Sequence, residues 1–518
     1  MIKNPVLTGF HPDPSIICVD DTFYIANSTF EYFPGIAISK SKDLANWETV
    51  KSPLDNLNML NMIGNPKSGG IWAPCLSYSD GYFYLVFTDV KNWAFGPFKD
   101  APNYIIKSKS IEGPWSDPIF INCSGFDPSL FHDDDGKKYI VNMEWDYRKQ
   151  DKEQFSGILL TEVDANTLKP IKESVKIFKG SELGLVEGPH LYKRNGYYYL
   201  ITAEGGTSYD HAVTVARSKN IYGPYEIHPN THLVTSRFNK DLYIKKAGHG
   251  SLCKGMDDRW WIAFLCARPI DENGRCPLGR ETSIAEIVWV DDWPYIKDGG
   301  VNPPLEFEGY GDKKEKKIFD YRFNDGNFKL DFMSLRKPAE YEILDNGVLR
   351  LFGRQSLMSN HNQNMLLRRQ TDFRFEAQTC LEFKFNHFQQ MAGIIYRYDE
   401  LNQYMLRVAY DENIGQKCLR ILCLKNGQFS MEPDFEIPVG DGKLYLKLTV
   451  KDTSGRFYYA KEDMEWIEIP YNVDVTVLSD EYADPMGFTG AFIGLSCIDM
   501  KDYSCYADFY YFKYRVLD

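Results

Sequence analysis

Long apolar runs are missing from the 518 residues, and no stretch of eighteen apolar residues reads as a membrane span. A basic surplus is missing too. Lys and Arg number 59 against 72 Asp and Glu, a formal net charge of −13. That balance argues against nucleic acid and anionic membranes as partners. The opening MIKNPVLTGF has no apolar core of the signal-peptide kind. Eleven cysteines are scattered without a C-x-x-C pair. Such an odd, dispersed set suits reduced thiols and a cytoplasmic location better than a disulfide framework. In that setting the glycosylation-like triplets at 27–29 and 122–124 carry no meaning. No long amphipathic helical period appears in the first 300 residues, which excludes α-solenoids.

What the chain does have is apolar content of 43% and aromatic content of 15%, enough for large cores. Its length implies two domains. The first 300 residues contain a repeat. Five segments share one pattern: DPSIICVDDTFYIANST from Asp13, APCLSYSDGYFYLVFTD from Ala73, DPSLFHDDDGKKYIVNMEW from Asp127, GPHLYKRNGYYYLITAEG from Gly188 and HGSLCKGMDDRWWIAFLC from His249. Each runs from a short apolar strand through a polar turn into a β-branched or aromatic strand, which is a hairpin signal. A period of roughly 60 residues leaves room for about four strands per unit, the size of a propeller blade. Five units predict an all-β, five-bladed propeller over residues 1–300. The WD40 alternative lacks its signature and has a shorter period.

In a propeller the first strand of each blade lines the central channel. The residues just before those strands ring one mouth: Asp13, Trp72 with Ala73, Asp127, Glu187 with Gly188, and His249. Three of the five positions carry a carboxylate, and Pro14, Pro128 and Pro189 stiffen the backbone beside them. Crowded like charges raise at least one pKa, so one acid stays protonated near neutrality. Glycosidic hydrolysis needs that pairing of a protonated acid with a second carboxylate that activates water or attacks.

Phe30, Phe33, Trp72 and Trp145 fall near these segments, where aromatic faces can stack on sugar rings or simply fill space between blades. His249, in KAGHGSL, can contact substrate, ligate a metal or serve as a structural hydrogen-bonder. Arg280, in PLGRET, is a fixed cation that can pair with Asp127 or Glu187, bridge blades, or contact sugar hydroxyls. DDDG at 133–136 sits where the repeat demands a hairpin turn and lacks the ligand spacing of a calcium loop. It is read as a turn.

Taken in order, HPDPS, GGIWAP, GFDPSLF, LVEGPHLY, KAGHGSL and PLGRET resemble glycoside hydrolase family 43, most closely its β-xylosidase/α-L-arabinofuranosidase branch. The resemblance implies inversion at the anomeric carbon. It makes Asp13 the general base, Glu187 the general acid and Asp127 the carboxylate that orients the acid and modulates its pKa. Arg280, His249, Phe30 and Trp72 match pocket positions of that family. The related fructoside-acting propellers of families 32 and 68 carry different nucleophile and acid segments. Some family members hold a divalent ion near the channel. The motifs here give no ligand set for calcium or another cation, and no cofactor is expected.

Residues 301–317 read as a linker, rich in Gly, Pro and charge. From 318 to 518, short alternating strands predict a β-sandwich. It is expected to pack on the propeller and close the site, with Phe488 of MGFTGAF reaching toward it. A closed pocket admits a chain end, so the expected substrate is a xylooligosaccharide cut from its terminus. Flat sandwich surfaces leave a homo-oligomer open. An arabinan-degrading enzyme of the same family and a non-catalytic sugar-binding propeller are the alternatives.

Overall fold

The computed structural model describes residues 1–462 and 465–518, and they form two compact units. The first comprises Met1–Glu31, Gly35–Arg268 and Arg280–Lys314. It holds five four-stranded antiparallel sheets in sequence order, which makes it a five-bladed β-propeller. The inner strands are Ser15–Val19, Gly70–Ser79, Ser129–His132, Glu187–Arg194 and Lys245–Lys254. We call the blades 1 to 5 after these strands.

The tight turns follow from their residues. Asp20 and Asp21, Asp80 and Gly81, Asn195 and Gly196, and Asp291 and Asp292 all take positive φ. Two consecutive left-handed residues make the turn whose twist suits a two-residue hairpin, and Asp, Asn and Gly tolerate it best. DDDG is also a turn, closed by donation from the Gly136 N–H to the Asp133 carbonyl at 3.0 Å.

Blades stack face to face, so middle strands are buried on both sides and lose the apolar–polar alternation of a half-exposed sheet. The run YFYLVFTDV, Tyr82–Val90, is buried almost throughout. Separate apolar clusters fill the gaps between blades. One between blades 4 and 5 contains Ile201, Val215 and Phe264, and one between blades 5 and 1 contains Ile25 and Trp261.

The inner strands are also tied by polar contacts around the whole ring. The Leu76 N–H donates to Ser15 Oγ (3.0 Å), and Ser77 Oγ pairs with His132 Nε2 (3.0 Å). Ser129 Oγ donates to the Pro189 carbonyl (2.6 Å), and the Leu252 N–H to the Tyr192 hydroxyl (2.8 Å). The Ile16 N–H donates to Ser251 Oγ (2.7 Å), which joins blade 5 back to blade 1. The N-terminal segment reinforces that seam. Ile2–Lys3 pairs with Glu306–Phe307, and Leu7 bridges Thr282. The stretch read as a linker therefore carries a strand of its own, because Phe307 buries its ring beside Trp261.

The second unit comprises Tyr32–Pro34, Pro269–Gly279 and Glu315–Asp518. Its two antiparallel sheets have nine and eight strands, forming a β-sandwich. One sheet is centred on Arg374–Phe383 and Tyr506–Val516, the other on Gln390–Arg397 and Phe492–Asp499. Their facing residues, including Phe375, Leu406, Leu448, Leu495 and Phe512, make one large core. Tyr32–Phe33 is an edge strand of the eight-stranded sheet, paired with Ser334 and Leu335. Among the described residues, Phe328–Asp331 is the one α-helix, and no helix is long and apolar enough to cross a membrane.

Candidate active site

The five repeat positions share one backbone state. Asp13, Ala73, Asp127, Gly188 and His249 have φ of 50°, 32°, 55°, 55° and 47°. Left-handed backbone is uncommon for a residue with a side chain, and it concentrates at functional sites. A following proline disfavours the right-handed helical region for Asp13, Ala73, Asp127 and Gly188. In blades 2, 4 and 5 the strand register slips at the same place. The left-handed residue thus kinks these three inner strands within their first half.

Asp13 and Asp127 are about as buried as core residues, at 5% and 6% exposure, with Arg280 at 3% and His249 at 4%. Glu187 is half-buried at the first residue of its strand. Asp13 is the best-supported carboxylate. Arg280 Nη1 donates to its Oδ1 at 2.7 Å, and Ser28 Oγ donates to its Oδ2 at 2.7 Å. Ser28 Oγ in turn accepts from the Ala73 N–H at 2.7 Å, so blade 2 fixes the hydroxyl that fixes Asp13. His249 Nδ1 lies 3.9 Å from Asp13 Oδ1. Arg280 Nη1 also donates to Thr207 Oγ1 at 3.2 Å. Asp127 Oδ2 accepts from the Gly188 N–H at 3.0 Å, which ties it to the residue after Glu187.

Burial pushes the Glu187 carboxyl up to about 8, and the Asp13 charge adds to it, while Arg280 and Lys99 oppose. Burial also holds Asp127 well above the usual carboxylate range, reinforced by Glu187 and Asp13 and opposed by the Gly188 N–H and Arg280. Burial lowers His249, Arg280 lowers it further, and Asp13 pulls the other way. Near neutrality the ring therefore holds a protonated Glu187, a neutral His249 and an Asp13 held between a guanidinium and a hydroxyl.

An aromatic wall adjoins this ring. The Arg280 guanidinium lies 5.2 Å from the Phe30 ring centre. Phe30 and Trp72 are 5.8 Å apart, and Trp72 and Phe126 5.2 Å. Trp72 Nε1 donates to the Ser68 carbonyl at 2.9 Å. Trp145 joins through Phe126, at 6.4 Å. Phe33 and Phe488 belong to the second unit: Phe33 is buried in the strand pairing with Ser334, and Phe488 is half-buried in a loop.

Several contacts lie outside the sequence reading. Ser28 sits inside the triplet NST, whose Asn27 is fully buried and donates to the Pro12 carbonyl at 2.8 Å. Thr207 lies in a loop with no periodic signal. Lys99 ends the loop KNWAFGPFKD, where a cation among aromatics and glycine was the available cue.

Fold and carboxylate ring together are those of a propeller glycoside hydrolase. Comparison with known proteins gives the family. Residues 2–294 match Glycosyl hydrolases family 43, and residues 320–515 match the Beta xylosidase C-terminal Concanavalin A-like domain. The chain is 45% identical to Xylosidase/arabinosidase 43B of Humicola insolens, over 99% of this chain and 97% of that protein. It is 42% identical to a Beta-xylosidase of Bacillus subtilis, over 99% of both chains. The crystal structure of xylan beta-1,4-xylosidase from Bacillus halodurans C-125 superposes with a TM-score of 0.94 at 45% identity, covering 99% of this chain and 100% of that one. The chain belongs to glycosyl hydrolases family 43.

Proposed function

We propose that the protein is an inverting exo-β-xylosidase that removes terminal β-1,4-linked xylose from xylooligosaccharides. The observation that carries this reading is the division of states in the carboxylate ring. Glu187 is pushed up to about 8, while Asp13 is held by Arg280 and Ser28 at 2.7 Å each. In this mechanism Asp13 takes a proton from a water that attacks the anomeric carbon. Glu187 gives its proton to the departing glycosidic oxygen as the C–O bond breaks. Burial and the Asp13 charge keep Glu187 protonated, and Asp127, whose Oδ2 accepts from the Gly188 N–H at 3.0 Å, aims it. Arg280 offsets the negative charge of the ring. Room for the attacking water requires carboxyl groups roughly 6.5–9.5 Å apart.

The names of the full-length relatives support xylose as the sugar, and the Humicola name supports a side activity on α-L-arabinofuranosides. All eleven cysteines are free thiols, which supports work in a reducing compartment such as the cytoplasm. The test is proton NMR of xylobiose hydrolysis within the first minutes, before mutarotation. Early α-xylose supports inversion with Asp13 activating water. Early β-xylose would make Asp13 a nucleophile, and larger fragments released first from xylan would remove the exo assignment.

A further inference from the structure

Two loops leave blades 2 and 3 at the mouth that carries the carboxylate ring. The blade 2 loop follows Tyr82–Val90, whose Thr88 pairs with Trp72. The blade 3 loop follows Lys138–Trp145, where the Trp145 N–H donates at 3.0 Å to the carbonyl of Ser124, three residues before Asp127. Both loops therefore start within a few residues of the ring.

The loops are braced. The Lys91 N–H donates to the Asp100 carbonyl at 2.8 Å and the Asp100 N–H to the Asn92 carbonyl at 3.1 Å, which closes the blade 2 loop at its base. Trp93 Nε1 donates to the Lys67 carbonyl at 2.9 Å. Trp145 Nε1 donates to the Pro97 carbonyl at 2.8 Å, so blade 3 holds the tip of the blade 2 loop. The Lys99 ammonium lies between the two indoles, 5.7 Å from the ring centre of Trp93 and 4.3 Å from that of Trp145. In the blade 3 loop the Asp146 N–H donates to the Gln154 carbonyl at 2.8 Å.

On this frame the aromatic wall continues outward. Trp72 meets Trp93 at 6.1 Å and reaches Trp145 through Phe126. Past these half-buried indoles, Phe98 and Tyr147 pair across the two loops at 5.1 Å. They are 57% and 52% exposed, and Phe95 beside them is 77% exposed. Packing between blades accounts for the inner rings. It does not account for three rings held toward water on braced loops, since a clustered apolar display of this kind marks a binding surface.

We propose that Phe95, Phe98 and Tyr147 form an outer sugar platform, which stacks on a xylose unit in the aglycone part of a longer xylooligosaccharide. The inference rests on the reading of the ring as a xylosidase site and extends it to longer chains. The platform continues the wall that runs from Phe30 and Trp72, so a chain whose end lies at the ring has rings to follow outward. Xylose carries no hydroxymethyl group, and its ring faces are flat enough to lie on an aromatic. Asp146 and Arg148 beside the platform pair with each other at 2.8 and 2.9 Å, which suits a neutral chain over a charged one. Loops braced before binding lose little freedom when the sugar arrives.

The test sets wild type against the double variant Phe98→Ala/Tyr147→Ala, with Phe98→Tyr/Tyr147→Phe as the variant that keeps both rings. kcat/KM is measured on xylobiose and on xylotetraose. The ratio of xylotetraose to xylobiose should fall about fivefold in the alanine variant, about what one aromatic contact contributes. The fall should lie in KM, as loss of uniform binding does, and the ring-keeping variant should restore it. Titration calorimetry of xylotetraose in the Glu187→Gln background should show the same fivefold loss of affinity. An unchanged ratio, or an equal loss on both substrates, overturns the proposal, leaving rings that are idle or that only brace the wall. Dissociation of a wild-type oligomer by the alanine variant in sedimentation velocity, with the ratio kept, overturns it in favour of a second copy of this chain on the platform. The two readings fail separately. A wild type that cleaves neither sugar removes the xylosidase reading, and equal xylotetraose affinity with and without the rings removes the platform.

Discussion

Gly188 is the position where a single methyl group tests the geometry of the ring. It has φ +55°, its N–H holds Asp127, and a Cβ there would lie 2.9 Å from His249 Cε1 and 3.0 Å from Nδ1. Gly196, in the hairpin turn of the same blade, has φ +75° and nothing within 4 Å of its Cβ. Gly196→Ala therefore costs only the left-handed backbone term, about 1–2 kcal/mol. Gly188→Ala carries that term plus about 1–3 kcal/mol for overpacking a buried imidazole. At about 2 °C per kcal/mol for a unit of this size, the control should lose about 2–4 °C and Gly188→Ala about 4–10 °C. Nine of the ten tryptophans lie in the propeller, with Trp466 the exception, so intrinsic fluorescence follows that unit. Displacing His249 and the Asp127 tether should also lower kcat on xylobiose tenfold to about a hundredfold, with Gly196→Ala unaffected. Equal stability and equal kcat in the two variants would refute the packing of Gly188 against His249.

Wild-type kcat should fall as pH rises through about 8, where Glu187 loses its proton, and Glu187→Gln should abolish both that limb and xylobiose hydrolysis. The sign for stability follows from the same shift. A carboxyl raised from 4.5 to about 8 contributes stability that is full below 4.5 and lost as pH rises through about 8. Urea unfolding of Glu187→Gln should therefore decline less over that window than wild type, and parallel curves would count against the shift. Arg280→Met leaves Asp13 buried beside an empty place and should destabilise the propeller by about 3–5 kcal/mol with near-complete loss of kcat. A milder loss in urea titration would mean the pair is well solvated. Among the described residues no group of three His, Cys, Asp or Glu is arranged to hold an ion.

The propeller was legible because its signal is local and repeated. Turn pairs such as Asn195–Gly196 dictate a hairpin from two residues, and five hairpins in phase dictate a ring. The phase carried Asp13, Asp127, Glu187 and His249 with it. Ser28 and Thr207 were not legible, since they reach Asp13 and Arg280 through side-chain contacts between strands and blades rather than through position in the repeat. The division of the chain was also hidden. Pro269–Gly279 looks like a blade loop, and Tyr32–Phe33 looks like part of blade 1, yet both belong to the second unit. The strand partner of Tyr32–Phe33, Ser334–Leu335, lies some 300 positions away in sequence, beyond any local pattern.

The seam of the ring has a consequence for when this protein becomes active. Asp13 meets Arg280 across the junction of first and last blades, 267 positions apart in sequence. The His11 N–H donates to the Arg280 carbonyl at 2.9 Å directly beside it. Hairpins can form as each blade leaves the ribosome, but this junction cannot exist until the fifth blade has emerged and the long loop has closed. Hydrolytic activity is thus a readout of completed circular assembly. A nick or deletion within residues 2–11 should silence the enzyme while every carboxylate remains in the chain.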